Sequence, residues 1–458
     1  MAMDRVVEYI DAHQDESVEQ LLELLRIPSI SAQPDRSGDV ADAAAWVSQR
    51  LGEAGLTTEV LPTAGHPIVF ADSGPRDDGP TVLVYGHYDV QPIGDPDKWV
   101  TPAFEPAVRD GAIFARGAAD DKGQMFTHIR AAHAWHAVAG GLPVRVKFLI
   151  EGEEETGSPN VEPFVRAHRE RLACDCVVIS DTAKLDPETP AITYGTKGLV
   201  YKEVKVFGPA KDLHSGSFGG SVANPATILT GLVAALKDEH DRILLPGFYD
   251  DVKAITDTER DAMGGSGFDE AAFIEQLGAP CAFGEAGYTV LERRWTRPTL
   301  DVNGLYGGYM GEGAATVIPA SAGVKLSMRL VLDQDPERIS RAFDDFLRAR
   351  CPDTVRMEIE THGSAGAYVA PLDSEAMRAA SRALASGFGR EPARVREGGT
   401  LPILPLFKRE LGAESVMMGF CRSDCNLHSP NEFFHLSDFH AGTRSAAHFL
   451  GNMSNHSR

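Results

Sequence analysis

The sequence predicts an α/β protein interrupted by a smaller α+β unit. Three observations carry this reading. Short apolar runs alternate with helical segments over the first part of the chain, as in a sheet covered by helices. After Tyr194 the pattern changes to the alternation of half-buried strands, with a helix between later strands. From Ser374 onward helix, strand and helix resume.

The elements follow in order. Val6 and Ile10, then Val18, Leu21, Leu22, Leu24 and Leu25, recur at helical spacing, so the chain starts helical. Ser37 is suited to cap a second helix, with Ala41–Leu51 inside it and Gly55 beyond its end. Short β-like runs cover Thr57–Leu61, Ile68–Ala71 and Thr81–Tyr85. Asp110-Gly111, between Ala107-Val108 and Ala112-Ile113-Phe114, is a hairpin signal. Lys122–Ala139 has helical composition, Val144–Ile150 reads as a strand, Pro159–Leu172 as a helix and Cys176–Ser180 as a strand. In the second pattern, Val200, Lys202, Val204 and Val206 alternate with Tyr201, Glu203, Lys205 and Phe207. A helix follows over Asn224–Leu236. The acidic stretch Asp250–Gln276 is partly helical and is broken by Gly264-Gly265-Ser266-Gly267. Strands at Gly323–Leu332 and Val355–Thr361 flank a helix at Pro336–Arg350. Helix Ser374–Phe388, strand Ser415–Gly419 and helix Asp438–Leu450 complete the chain.

Bulk properties narrow the function. A chain of 458 residues exceeds one ordinary core, so two domains are expected. Lys and Arg number 44 against 66 Asp and Glu, a formal charge of −22. So acidic a surface repels phosphate backbones and anionic lipid, which argues against nucleic-acid and membrane partners. No run approaches the roughly 18 apolar residues of a membrane span. Acidic residues interrupt the N-terminal stretch early, unlike a signal peptide, so a cytoplasmic protein is expected. The six cysteines are scattered, unlike a secreted disulfide framework. Cys421 and Cys425 could form half of a thiolate zinc site, but no second pair lies near, and reduced buried thiols explain them as well.

Chemistry concentrates at strand exits. Beyond the apolar runs 81–85, 144–150 and 176–180 lie His87 and Asp89, then Glu154 and Glu155, then Asp181. In open α/β sheets, sites form outside the carboxyl ends of strands. Taken singly, each residue has an ordinary explanation; Asp120-Asp121, for example, suits the N-terminus of the helix that follows. Together they are unpaired carboxylates at an apolar edge, costly without a cation. Imidazole plus carboxylate suits zinc, with manganese and cobalt as alternatives. An Asp shared by two metals would make a two-metal hydrolase, in which water becomes a nucleophile near neutral pH and a free carboxylate takes its proton.

With these fragments assembled, the chain resembles the co-catalytic metallopeptidases that include carnosinases, cytosolic nonspecific dipeptidase, glutamate carboxypeptidase and succinyl-diaminopimelate desuccinylase. The dipeptidase branch is nearest. The resemblance rests on Gly86-His87-Tyr88-Asp89, Asp120-Asp121-Lys122-Gly123, Glu154-Glu155-Thr156-Gly157-Ser158, Ile179-Ser180-Asp181 and Asn426-Leu427-His428-Ser429-Pro430-Asn431-Glu432. It implies a mixed-sheet catalytic domain formed by 1–196 and 371–458, with an inserted lid and dimerisation domain at 197–370. It also implies two divalent ions, one held by His87, Asp120 and Asp181, the other by Asp120, Glu155 and His428. Asp89 would orient His87, and Glu154 would be the general base. The family pattern has a varied residue where this chain has Glu153, and Thr156-Gly157-Ser158 fixes the register.

The resemblance extends into the insertion. Asp212-Leu213-His214-Ser215-Gly216 is similar to the segment whose His reaches the partner subunit's active site, where it would stabilise the oxyanion. Thr316 and Arg329 match substrate-binding positions, and His362 is a weaker match to the same job. Glu397 would hold a free ammonium group, and Thr400 would lie near the substrate carboxylate. The implied function is hydrolysis of dipeptides with both ends free, by a homodimer acting on a small peptide. The rivals are removal of an N-acyl group from an amino acid, a glutamate-type carboxypeptidase, and a silent metal-binding scaffold.

Overall fold

A computed structural model describes residues 2–76, 79–264 and 268–454. Gly265-Ser266-Gly267, most of the expected break in the acidic stretch, lies outside them. The chain divides into two compact units. The first comprises Met1–Tyr194, Ala370–Val395 and Leu406–Arg458, and the second Gly195–Val369 and Arg396–Pro405. The sequence alone sets the insertion at 197–370 and gives no sign that 396–405 return to it. They return through contacts such as Lys197 N to Gly399 O, 2.9 Å, which no local pattern announces.

The first unit is built on a mixed sheet. Its strand order is Thr57–Leu61, Ile68–Asp72, Arg145–Glu151, Thr81–His87, Cys176–Ile179, Glu414–Gly419 and Ala191–Thr196. Thr81–His87 lies parallel to both Arg145–Glu151 and Cys176–Ile179, and Glu414–Gly419 is parallel to Cys176–Ile179. These central strands are buried almost throughout, which explains their continuous apolar runs. The register sets His87 opposite Glu151 and Tyr85 opposite Ile179, so three parallel strands release their chains at one edge. Helix Lys122–Ala139 is buried on nearly all sides and packs against Leu436–Ser454, which also packs on Glu375–Phe388. Trp135 Nε1 donates to Ala447 O at 3.0 Å, fixing the first of these contacts.

Several expected boundaries shift for local reasons. Ser37 is the first residue of helix Ser37–Glu53, not its cap; its hydroxyl donates to Pro34 O at 2.8 Å. The expected helix Pro159–Leu172 is two short helices, Val161–Ala167 and Arg169–Leu172, broken at His168. Asp110 and Gly111, with φ of 50° and 73°, form the expected tight turn between strands Ala107–Arg109 and Ala112–Phe114.

The second unit contains an antiparallel sheet in the order Thr299–Gly307, Ser321–Leu330, Gly198–Phe207 and Arg356–Ala365. Helices Pro225–Ala234 and Pro336–Arg348 pack on it around Val200, Val204, Leu326 and Phe343. Asn224 and Asp335 cap these helices with their side chains. Strand Thr299–Gly307 escapes the sequence reading because Asp301, Asn303 and Gly304 interrupt its alternation. It is an outer strand with a register shift between Val302 and Gly304, and it needs little apolar content.

Candidate active site

The three parallel strand ends bring His87, Asp89, Glu154, Glu155 and Asp181 to one edge of the first unit, where Asp120 and His428 join them. His87 is fully buried. Its Nδ1 lies 3.0 Å from the Asp89 carbonyl oxygen and 3.4 Å from Asp89 Oδ1. Its Nε2 lies 3.2 Å from Asp120 Oδ1 and 3.9 Å from Asp181 Oδ2, yet it makes no hydrogen bond among the described residues. Across Asp120, His428 Nε2 lies 2.9 Å from Oδ2 and 3.4 Å from Glu155 Oε2. Two three-membered groups result: His87, Asp120 and Asp181, and Asp120, Glu155 and His428. Within each, one nitrogen or oxygen per residue can approach a common centre.

The donor set is that of a cation site. Six carboxylates, those of Asp89, Asp120, Asp121, Glu154, Glu155 and Asp181, crowd two imidazoles. Burial and the adjacent Asp120 push Glu155 up to about 7. Burial, Asp120 and Asp121 push Asp181 well above the usual carboxylate range, and burial raises Glu154. Burial also opposes the charge on Asp120, but the hydrogen bond with His428 and the nearby His87 imidazole hold its carboxyl below the usual range. A divalent cation would reverse the upward shifts and satisfy the orphaned nitrogen of His87. The residues present therefore fit a metal centre.

The surrounding contacts fix these donors. Asp89 accepts from Ser31 Oγ at 2.6 Å and from the backbone N–H groups of Glu154 and Glu155 at 3.2 and 3.1 Å. One side chain thus ties His87 to the turn that carries both glutamates. Gln91 donates to Glu155 Oε2 at 2.7 Å. Glu153 is spent elsewhere, accepting from Asn160 Nδ2 at 2.7 Å. Asp121 occupies the helix N-cap position without a capping bond, and its Oδ2 accepts from His87 N at 3.2 Å. The sequence reading missed Ser31 and Gln91, which lack a local signal. Neither Cys421 nor Cys425 joins a group of three ligands among the described residues. Cys425 beside it and burial push the Cys421 thiol well above its usual range.

The other expected residues lie in the second unit. Arg329 Nη1 donates to Thr400 Oγ1 at 2.7 Å. Arg329 and Glu397 line one cavity of about 470 Å³, together with Lys197 and Arg294. Burial raises the Glu397 carboxyl, and the Arg294 guanidinium opposes that rise. His214 pairs with Val317 across a short ladder, Ser215 N donates to Thr316 O at 2.9 Å, and His214 itself is exposed. Gly216 N donates to His214 Nδ1 at 3.0 Å, which leaves Nε2 to carry the proton. His362 Nε2 pairs with Glu203 Oε2 at 2.9 Å, and Tyr306 donates to the other oxygen of Glu203 at 2.5 Å.

The chain is similar to known proteins over most of its length. The sequence profile described as Peptidase family M20/M25/M40 matches residues 83–452. The Cys-Gly metallodipeptidase dug1 of Schizosaccharomyces pombe is 32% identical, with 97% of each chain covered. The Beta-Ala-His dipeptidase of Homo sapiens is also 32% identical, over 99% of this chain and 93% of that protein. Among solved structures, the M20 family metallo-carboxypeptidase Sso-CP2 from Sulfolobus solfataricus superposes with a TM-score of 0.87. It is 32% identical, over 96% of this chain and 99% of that one.

Proposed function

The chain belongs to peptidase family M20/M25/M40 and is a metallo-dipeptidase of the Dug1 and carnosinase kind, and from that premise we propose that it hydrolyses dipeptides whose amino and carboxyl ends are both free. The observation that carries this is the pair of ligand groups sharing Asp120. The names of the relatives make Cys-Gly and β-Ala-His suitable first substrates.

When bound by His87, Asp120 and Asp181 and by Asp120, Glu155 and His428, two divalent ions would supply Lewis acidity and ease deprotonation of water. Zinc suits imidazole with carboxylate, and manganese or cobalt are the alternatives. Glu154 takes a proton from the attacking water and passes it to the leaving amine nitrogen. Asp89 holds the His87 ring through Nδ1. His214, protonated at Nε2, donates to the oxyanion from the neighbouring subunit of a homodimer. Arg329 and Thr400 hold the substrate carboxylate, with Thr316 and His362 contributing to binding, and Glu397 holds the ammonium group.

The lining of one cavity by both a guanidinium, Arg329, and a carboxyl, Glu397, supports a substrate with both ends free. The segment 197–370 would serve as lid and dimerisation domain. Its outer strand Thr299–Gly307 exposes Val302 and Leu305, and Tyr309 and Met310 beyond it are also exposed, as an assembling surface requires. No helix among the described residues is long and apolar enough to cross a membrane. Six free cysteines suit a reducing cytoplasm.

A second reading has its own support. Arg294 lies close enough to Glu397 to oppose its rise, which weakens Glu397 as an ammonium holder and favours an N-acyl-amino-acid amidohydrolase or a carboxypeptidase. Hydrolysis of a free dipeptide and of its N-acetylated form by the metal-loaded protein separates the readings. The dipeptidase reading expects the free form to be preferred by at least about tenfold, since a charged hydrogen bond is worth about 1.5–3 kcal/mol. Equal or faster cleavage of the acetylated form overturns it.

A further inference from the structure

Glu432 is fully buried, and its carboxylate collects four donors. Oε2 accepts from Arg116 Nη1 at 2.7 Å and from Gly117 N at 3.0 Å. Oε1 accepts from Ala119 N at 2.9 Å and from Asp120 N at 3.1 Å. The last of these is the backbone of the aspartate shared by both ligand groups. Glu432 itself stands four residues beyond His428. We propose that Glu432 is a positioning residue for the metal centre, a buried carboxylate that fastens the loop carrying Asp120 to the loop carrying His428.

The backbone is shaped for this contact. Successive N–H groups turned toward one point form an anion-binding concavity. Gly117 has φ of +84°, and a Cβ there would lie 2.6 Å from Val90 Cγ1, so the concavity requires glycine at this position. Gly123, in the first turn of the helix that follows, passes close to this turn, because a Cβ there would meet Ala118 O at 1.9 Å. Without the carboxylate, three backbone N–H groups and Nη1 of Arg116 would lose these partners in a buried space, although Nη2 of Arg116 keeps its bond to Pro92 O at 3.2 Å. On the other side, Asn431 Oδ1 accepts from Val100 N at 2.8 Å and its Nδ2 donates to Lys98 O at 2.8 Å. His428, Asn426 and Asn431 all adopt left-handed backbone conformations, so this loop depends on such ties to keep its path. Charge-assisted bonds to an ionised group are about twice as strong as neutral ones, which suits a residue holding two ligand loops in register.

The proposal rests on the two-group reading of the metal centre and is tested by metal binding rather than turnover. Metal-free wild type, Glu432→Gln and His428→Ala are titrated with zinc by calorimetry, and the thermal midpoint of each metal-free protein is recorded. Wild type should take up two ions. Because Asp120 serves both groups, Glu432→Gln should weaken both binding steps by about ten- to a hundredfold, the range for groups that orient ligands. His428→Ala should weaken one step only. A purely structural role would lower the midpoint of Glu432→Gln and leave both zinc affinities at the wild-type value, and that result overturns the proposal. If Glu432→Gln does not fold, Arg116→Gln removes one of the four donors and is read by the same titration. Weakening of both steps supports the proposal, and unchanged affinities overturn it. If wild type binds fewer than two ions, the two-group reading fails and this proposal falls with it.

Discussion

His87 Nδ1 faces Asp89 from two sides, 3.0 Å from its carbonyl oxygen and 3.4 Å from its carboxylate, while the same carboxylate receives the backbone of Glu154 and Glu155. Asp89 therefore contacts the imidazole and also ties the His87 strand to the glutamate turn. Asp89→Asn should weaken zinc binding by about ten- to a hundredfold. It should also depress turnover at saturating zinc, since the turn carrying Glu154 loses an ionic acceptor. Ser31→Ala, which removes only the 2.6 Å hydroxyl contact, should give a smaller change in both. Equal effects of the two substitutions would show that the hydroxyl, not the charge, governs the geometry.

Among the described residues Glu154 belongs to neither three-ligand group, whereas Glu155 belongs to one of them. Glu154→Gln should keep two ions per subunit and lower kcat by about 10²–10⁴, the range for a general base. Glu155→Gln should instead lose affinity for one ion. Metal content by elemental analysis, alongside kcat, distinguishes the two positions and tests the register against Glu153, whose carboxylate is bonded to Asn160.

Three of the candidate metal ligands, His87, Glu155 and Asp181, were legible in the sequence because they stand at the ends of strands that are buried on both sides, whereas Asp120 and His428 entered through the motifs of the family resemblance. The apolar runs ending before His87, Glu154 and Asp181 are continuous, and the residues just past them are polar. Ser31, Gln91 and Glu432 were not legible in this way. Their roles come from contacts between distant segments, such as the Glu432 contact with Asp120 across 312 residues, which spacing cannot reveal. The same limit hid strand Thr299–Gly307 and the return of residues 396–405 to the second unit. Helices with strong caps were placed well. Asn224, Asp335 and Ser374 each accept a backbone N–H in the first turn, and the helices begin at Pro225, Pro336 and Glu375, within one residue of the expected starts.

Arg329 and Thr400 should act on the same end of the substrate, because Arg329 Nη1 reaches Thr400 Oγ1 at 2.7 Å. Arg329→Lys keeps the charge but loses the planar fork. It should lower kcat/KM for a free dipeptide by about 10–10², mostly through KM, the loss expected for a charged hydrogen bond. A dipeptide amide, which lacks the carboxylate, should be nearly indifferent to the substitution. A comparable loss on the amide would place Arg329 in folding rather than recognition.

Acid stability should carry a signature of Glu410. Hydrogen bonds from Arg409 and Arg169, with Arg166 beside them, bring its carboxyl down from an ordinary 4.5 to about 2. The folded state thus sheds this proton more readily than the unfolded chain, so the cluster stabilises fully above about pH 4.5. That contribution is lost as pH falls from 4.5 toward 2. Glu410→Gln should lower the thermal midpoint of the metal-free protein near neutral pH, and the gap from wild type should narrow steadily below about pH 4.5. A gap that stays constant through this range would mean that Glu410 acts through packing and not through its charge.

His214 offers the sharpest test of assembly. Gly216 N donates to Nδ1, so the ring presents Nε2–H outward from an exposed turn, and the first unit already supplies every proposed metal ligand from its own residues. An oxyanion donor arriving from a second copy would make each active site a composite. His214→Ala alone should lower kcat by about 10²–10³, the loss seen when an oxyanion donor is removed. Glu154→Gln alone should be comparably impaired. Mixed and allowed to exchange subunits, the two variants should form hybrids in which one site has both Glu154 and His214 intact. Activity should then rise toward about a quarter of wild type, because half of the dimers are hybrids and each carries one complete site of two. Activity that stays at the mean of the two variants after exchange, verified by mass, would assign His214 to its own subunit or remove it from the reaction.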